Sequence, residues 1–363
     1  MTRPAIFRDL DLEAALETAK REGKLLLVDA TASWCGPCKH MDRTTWVDVK
    51  VVQELAALAV AIQVDVDDAK DVAERLRILS MPTVVAFRDG AEIDRVVGLQ
   101  GRDALLSWVE GLGRGETTLR RKRTEAAANP GDMGVRMGLA KALVDANELA
   151  EATAEYAWLW QNMAVNNPAL GGVRQSFFLA ELETLIERYP QARQSIDPLR
   201  EAVAPGEGAQ PELEALSDWL SLNHACKEDR RSLEWFLSAR ALIVSNDRLE
   251  SLLEQRIVPL LVADGLWADI GALYKNPLAA LTRAKAFRDH VESKLPPDAP
   301  PEMADSIRKY AQKQLRETAH RLVRALLAAK KNEEALALCD EAQRADPSPE
   351  MMEAISHARV TTT

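Results

Sequence analysis

The stretch Trp34-Cys35-Gly36-Pro37-Cys38-Lys39 decides how the first part of this chain folds. It follows a short apolar run, Lys24 to Asp29, which is typical of a strand buried on both faces. From Cys35 to about Thr45 the sequence can form a helix. Free backbone N–H groups and the positive end of the helix dipole would then stabilise a thiolate at Cys35. Cys38 lies about one turn later, so the two sulfurs can face each other and close a disulfide ring.

The two residues between the cysteines suit that arrangement. Gly36 leaves the approach of a substrate backbone unobstructed, and Pro37 in the first turn costs no helical hydrogen bond. We therefore interpret the C-x-x-C pair as a reactive dithiol, because a thiolate is the attacking species in disulfide exchange.

Alternating helices and strands surround this motif. Helices are predicted for 11–21, Cys35 to about Thr45, the stretch after Asp48, 67–79 and 102–112. Strands are predicted for 24–29, 60–66, 83–87 and 91–98, with a hairpin turn at Asp89-Gly90. The sequence thus predicts one α/β domain, residues 1–113, with a central mixed sheet.

With the motif, the strand order and the loop Ser80-Met81-Pro82-Thr83 in place, residues 5–112 resemble the thioredoxin family. The resemblance implies a thioredoxin fold and a thiol-disulfide oxidoreductase. It also implies that Cys35 is the nucleophile, that Cys38 is the resolving thiol, and that Asp29 is the internal acid. Burial should raise the pKa of Asp29 and let it accept the Cys38 proton through a water.

The same resemblance assigns a substrate groove. Pro82 would follow a cis bond, placing the Met81 backbone where an extended substrate can pair with it. Gly98 would lie across the groove and Trp34 at its rim, beside Gly36 and Pro37.

Two residues depart from the family pattern. Thr31 stands where thioredoxins have a second tryptophan, and Gln63 where a lysine usually partners the internal acid. Both substitutions affect the expected pKa of Asp29 and the redox potential of the dithiol. His40 follows the motif directly and is interpreted as a solvent-facing helix residue, with tuning of the site as the alternative.

Beyond Gly113 the sequence predicts helices only. Residues 114–124, with Arg120-Arg121-Lys122-Arg123, are interpreted as a basic linker or helix start, and 125–363 as a helical region with breaks near 205–211 and 294–302. In two places small and large residues follow offsets like those of a tetratricopeptide repeat. The first set is Ala140, Leu143, Leu149, Ala152 and Tyr156; the second is Leu326, Ala335, Cys339, Ala342 and Pro347.

Composition narrows the class of protein. The chain has 363 residues and a net charge of −10, which disfavours nucleic-acid binding. No apolar run is long enough for a membrane span and no signal peptide is recognised, so we expect a cytoplasmic protein. Zinc would need ligands beside the C-x-x-C pair, but Cys226 and Cys339 lie far away and are interpreted as core residues. No metal or cofactor is predicted.

Two functions remain open at this stage. The first is a protein-disulfide reductase whose helical region engages client proteins and which a thioredoxin-reductase-type enzyme recycles. The second is a holdase chaperone or adaptor, because thioredoxin followed by tetratricopeptide-like helices resembles the bacterial chaperedoxins. That likeness implies clients with unfolded segments and a chaperonin partner, with the last helix, about 349–360, as a candidate contact.

Overall fold

The N-terminal domain is built on a four-stranded mixed sheet in the order β2-β1-β3-β4. The computed structural model describes residues 3–166, 168–206, 210–241, 247–296 and 301–360. The strands of the N-terminal domain are β1 Leu25–Thr31, β2 Ala59–Asp65, β3 Thr83–Arg88 and β4 Ala91–Val97. β1 runs parallel to β2 and antiparallel to β3, and β3 runs antiparallel to β4. The central strand β1 is buried along its first six residues, as its apolar run predicts.

Five helices cover the two faces of this sheet. They are α1 Leu12–Glu22, α2 Gly36–Arg43, α3 Val49–Leu58, α4 Lys70–Arg75 and α5 Arg102–Gly113. Successive strand residues point to opposite faces, so Leu27 joins the core under α3 and α5, whereas Val28 joins the core under α1. The predicted α/β thioredoxin fold is confirmed.

The helix predicted for 67–79 is shorter than its apolar spacing suggested. Only Lys70–Arg75 is α-helical, because Arg77 adopts a left-handed conformation with φ 52° and stops the helix. The segment that follows, up to Pro82, is thereby released to form the loop beside the cysteines. The predicted Asp89-Gly90 hairpin turn is present, with φ values of 53° and 85°.

Every regular element described beyond Gly113 is helical, which confirms the all-α prediction for this part of the chain. The α-helices are α6 Thr118–Ala128, α7 Met133–Asp145, α8 Leu149–Asn166, α9 Gly171–Val173, α10 Leu179–Arg188, α11 Arg193–Ala202, α12 Leu213–Ala225, α13 Asp229–Ala239, α14 Asp247–Arg256, α15 Val258–Ala263, α16 Trp267–Leu273, α17 Pro277–Lys294, α18 Pro301–Ala328, α19 Asn332–Ala345 and α20 Pro349–Val360. Short 3₁₀ turns lie at Pro168–Leu170 and Pro190–Ala192, and a π-helical turn at Arg174–Phe178.

The chain clusters into two compact units, Met1–Ser195 and Ile196–Thr363. The predicted domain boundary at 113 stays a prediction. The predicted breaks fall partly outside the described residues, at 207–209 and 297–300. Among the helices described, none is long and apolar enough to cross a membrane.

The segment interpreted as a basic linker is helical from Thr118 onward. The Thr117 side chain caps α6 by accepting a hydrogen bond from the Arg120 backbone amide at 3.2 Å. Sequence reasoning interpreted this segment from its basic residues and missed the capping threonine. The helix start is tied to the sheet, because Asp94 on β4 accepts hydrogen bonds from the Thr118 amide at 2.7 Å and from the Trp108 indole at 2.8 Å. Within the first unit, α6 therefore continues directly from the thioredoxin fold.

Small residues predicted at helix crossings are buried where the repeat pattern placed them. Ala140 on α7 and Ala152 on α8 lie in the core of the first unit. Ala335 on α19 lies in the core of the second unit, and so does Cys339, which holds a large-apolar position of the repeat. There, a Cβ on Gly271 of α16 would come within 2.3 Å of a backbone oxygen of α18, so the two helices cross where only glycine fits.

Candidate active site

Cys35 and Cys38 form a disulfide at the start of α2, with their Cα atoms 5.3 Å apart. Cys35 is the N-cap residue of that helix, and its sulfur accepts a hydrogen bond from the Cys38 amide at 3.2 Å. Pro37 occupies the first turn, where no helical hydrogen bond is lost. The helix start therefore directs a backbone donor at the leading sulfur, as the sequence predicted.

The disulfide lies just below the surface. Cys35 is 4% exposed and Cys38 2%, packed with Ala32 against Val66 and Met81. Trp34, directly before them, is 65% exposed, and its indole N–H donates to Asp67 Oδ2 at 2.8 Å. Gly36 and Pro37 are exposed as well. A reacting partner must therefore approach through a narrow opening that the Trp34 ring borders.

The loop before β3 forms the other side of this opening. The Met81–Pro82 peptide bond is cis, as the resemblance implied. Thr83 fastens the loop by donating its hydroxyl to the Ser80 carbonyl at 2.7 Å. The Pro82 carbonyl accepts a hydrogen bond from the Gly98 amide at 2.8 Å, and Gly98 itself has φ 89°, where a side chain would be strained. Gly98 is thus fixed beside the proline loop.

Asp29 is buried, with 2% of its surface exposed. Its Oδ2 accepts a hydrogen bond from the Gln63 amide at 2.9 Å, while Oδ1 has no hydrogen-bond partner among the described residues. Burial raises the pKa of Asp29, the hydrogen bond from Gln63 lowers it and the charge of Asp42 raises it, which together place this pKa at about 7. The Trp46 indole lowers this pKa slightly but reaches no hydrogen-bond geometry. Asp29 can therefore exchange a proton near neutral pH.

Gln63, which the sequence marked as a departure, bridges two carboxylates. Its Nε2 donates to Asp29 Oδ2 and to Asp42 Oδ1, each at 2.9 Å. Asp42 lies on α2, four residues after Cys38, so the bridge connects the internal acid to the helix of the dithiol. Sequence reasoning missed Asp42, although the spacing of four from Cys38 was the signal that places both on one helix face.

Other residues singled out by sequence lie apart from this centre or make no contact within it. Thr31 is the last residue of β1, and His40 is exposed on α2, as the solvent-facing interpretation predicted. Cys226 and Cys339 are buried, in agreement with their interpretation as core residues. Within the described ranges, no three His, Cys, Asp or Glu side chains are grouped to hold a metal ion.

The N-terminal domain is similar to known proteins. The thioredoxin family profile matches residues 10–111. A thioredoxin H-type of Oryza sativa subsp. indica is 39% identical over 106 residues, which are 28% of this chain and 81% of that protein. The TPR repeat-containing thioredoxin TDX of Arabidopsis thaliana is 41% identical over 91 residues, 24% of this chain and 22% of that protein. A solved thioredoxin from Thermus thermophilus aligns with 30% of this chain and 89% of its own, with 26% identity and a TM-score of 0.28.

Proposed function

Since this chain belongs to the thioredoxin family, we propose that it reduces disulfides of client proteins through Cys35 and Cys38, while its helical region engages the client. The observation that carries the proposal is the position of Cys35 as N-cap of α2, where its sulfur accepts the Cys38 N–H at 3.2 Å. That donor and the helix dipole favour the thiolate once the disulfide is reduced.

The first step is attack by the Cys35 thiolate on one sulfur of the client disulfide. A Cys35–client bond forms, the client S–S bond breaks, and the second client sulfur leaves as a thiolate that takes a proton from solvent. Exposed Trp34, Gly36 and Pro37 border the path of approach.

The second step releases the client. Cys38 loses its proton and its thiolate attacks Cys35, so that the Cys35–Cys38 disulfide forms and the Cys35–client bond breaks. The remaining client sulfur leaves as a thiolate that takes a proton from solvent. The client gains two electrons and two protons, and this chain is oxidised. We propose that Asp29 accepts the Cys38 proton through a water, which is supported by its pKa of about 7 and its link through Gln63 to Asp42 on the helix of Cys38.

The groove around the proline loop would hold the client backbone. Met81 packs against the two cysteines, and the Pro82–Gly98 hydrogen bond fixes the opposite side. An extended client segment can bind along such an edge through main-chain hydrogen bonds. These bonds do not depend on the side chains, so clients of many sequences can bind.

The direction of transfer and the partners follow from the same proposal. A reductase must be recharged, so we propose a thioredoxin-reductase-type enzyme as recycler and a reducing, cytoplasmic setting. The TPR repeat-containing thioredoxin of Arabidopsis combines, by its name, a thioredoxin with such repeats, and the buried Ala140 and Ala152 of α7 and α8 support a tetratricopeptide-like helix pair here.

Exposed apolar side chains on the helical region favour a second candidate function, a holdase or adaptor that protects unfolded clients. Large apolar residues more than 45% exposed occur along it: Val165, Phe177, Phe287, Met303, Tyr310, Leu336, Met352 and Val360. Such side chains can bind unfolded segments. In this candidate α20, Pro349–Val360, could contact a chaperonin.

Trapping tests the reductase directly. Cys38→Ser in the full chain should accumulate clients disulfide-linked to Cys35, because the resolving thiol is absent. Cys35→Ser, the matched control, should accumulate none. Equal trapping by both variants would contradict the assignment of Cys35 as nucleophile.

Aggregation assays separate the two candidates. A holdase should suppress aggregation of an unfolded client equally well after Cys35→Ser and Cys38→Ser are combined, whereas disulfide reduction should be lost. If the double variant also loses aggregation suppression, a holdase independent of the dithiol is ruled out.

A further inference from the structure

A cavity of about 160 Å³ opens within the first unit beside the proline loop, and the site described above makes no use of it. One wall is formed by Leu79, Ser80 and Thr83 of the loop and β3, together with Val97 of β4. The facing wall comes from α7, α8 and α10 of the helical region. A cavity of about 150 Å³ can hold a benzene ring, so there is room for one side chain of a partner.

The position of the cavity relates it to the proposed client groove. Ser80 and Thr83 flank Met81 and Pro82, against which the client backbone would run. An extended strand advances about 3.3 Å per residue and turns alternate side chains to one side. A client side chain a few residues from the reacting cysteine can therefore enter this cavity.

Three guanidinium groups line the cavity, and two of them share one carboxylate. Arg95 is 7% exposed and pairs with Glu92 at 2.6 Å, while two of its N–H groups donate to the Leu76 and Arg77 carbonyls. Arg77 pairs with the same Glu92 at 3.4 Å. Arg95 is held rigidly, so its charge is fixed in the wall.

Lys141 of α7 lines the cavity too, and Arg188 is its other cation without a carboxylate of the described residues in ion-pair contact. At the end of α10, it reaches only the Asn147 side-chain oxygen, at 3.4 Å, and no carboxylate of a described residue lies within salt-bridge distance. Burial and the charges of Arg77 and Arg95 lower its pKa, against the opposing charge of Asp145. A partly buried cation with two cationic neighbours favours a bound anion.

The carboxylates of the facing wall limit how much negative charge fits. Glu181 is engaged by the Tyr156 hydroxyl, which donates to it at 3.0 Å. Asp145 forms no hydrogen bond or ion pair with the described residues, and burial raises its pKa. A single carboxylate can approach Arg188, whereas a doubly charged phosphate would meet stronger repulsion from Asp145.

We propose that this cavity selects clients that carry a glutamate or aspartate a few residues from the reacting cysteine, whose carboxylate binds Arg188. The inference rests on the proposed reductase function and adds to it a substrate class set by the helical region.

Peptide substrates test the selection on the full-length reduced chain. Each peptide holds one internal disulfide and glutamine at all other variable positions, and a glutamate is moved one position at a time around the cysteines. The value of kcat/KM for disulfide reduction is measured at low ionic strength. We expect glutamate at one position to raise kcat/KM about fivefold over its glutamine counterpart, a typical effect for one partly screened ion pair.

Variants decide whether Arg188 causes the preference. Arg188→Gln should abolish it while the all-glutamine peptide is reduced at an unchanged rate, and Asp145→Asn should strengthen it, a gain that misfolding cannot produce. Arg123→Gln, on α6 where Arg123 pairs with Glu151, is the matched control and should change nothing.

Equal reduction of all peptides, or a preference that survives Arg188→Gln, would overturn the inference and leave the reductase intact. Failure to reduce any peptide would instead refute the reductase, and the inference with it.

Discussion

Replacing Asp29 by asparagine should stabilise the oxidised protein, and increasingly so as the pH rises. In the folded state the pKa of Asp29 is raised to about 7 from its ordinary 3.8 because the carboxyl is buried. The folded protein therefore holds this proton over a pH range in which the unfolded chain has lost it. Stability associated with Asp29 is complete below about pH 4, is lost between pH 4 and 7, and stays low above pH 7.

The size of the effect follows from the two pKa values. At about 1.4 kcal/mol for each pH unit between 3.8 and 7, ionised Asp29 costs about 4 kcal/mol of unfolding free energy above pH 7. The asparagine carbonyl can keep the hydrogen bond from Gln63, which now reaches Asp29 at 2.9 Å. The side-chain NH₂ group of asparagine would replace Oδ1, which has no partner among the described residues. A buried donor without a partner costs free energy, so about 2 to 4 kcal/mol of the gain in unfolding free energy should remain.

Hydrogen exchange of the β1 and β3 amides in increasing urea measures this stability in the sheet itself. The gain of Asp29→Asn over the natural protein should be small at pH 5 and reach its maximum at pH 8. Asp68→Asn, at an exposed aspartate, is the matched control and should show no such trend. A gain that is the same at pH 5 and pH 8 would refute the reasoning, because it would show that Asp29 carries no raised pKa.

Three further outcomes are expected. Gly98→Ala should cost about 1 to 2 kcal/mol because its φ is 89°, whereas Gly113→Ala, at an exposed helix end, should cost nothing; urea unfolding of both variants checks this. Gln63→Leu should raise the pKa of Asp29 above about 7, since it removes a hydrogen bond to the carboxylate, as a ¹³C NMR titration of the Asp29 carboxyl would show. Asp42→Asn should lower the same pKa by removing a like charge, and an unchanged titration in both variants would show that Gln63 and Asp42 do not set the pKa of Asp29.

Much of the sheet and of the dithiol could be predicted from the sequence because the deciding interactions are local. The apolar run before Asp29 and the turn at Asp89-Gly90 each depend on a few neighbouring residues. Cys35 becomes the N-cap of α2 for the same reason, since helix geometry fixes where the next amide points.

The features that could not be predicted depend on residues distant in sequence or on unusual backbone angles. The early end of α4 follows from the left-handed conformation of Arg77, which apolar spacing does not reveal. The bridge from Gln63 to Asp42 joins β2 to α2, and only the folded chain brings them together. The cavity near Arg188 requires α10 to lie beside the proline loop, a packing that no local pattern specifies.

The pH dependence of Cys35 alkylation tests the central claim most directly. The protein is reduced and reacted with iodoacetamide over a range of pH, and modification of Cys35 is followed by mass spectrometry, with buried Cys226 and Cys339 as internal references. If the start of α2 stabilises the thiolate, Cys35 should reach half its maximal rate at a lower pH than a free cysteine. A profile identical to that of a free cysteine, or alkylation only after unfolding, would contradict the account.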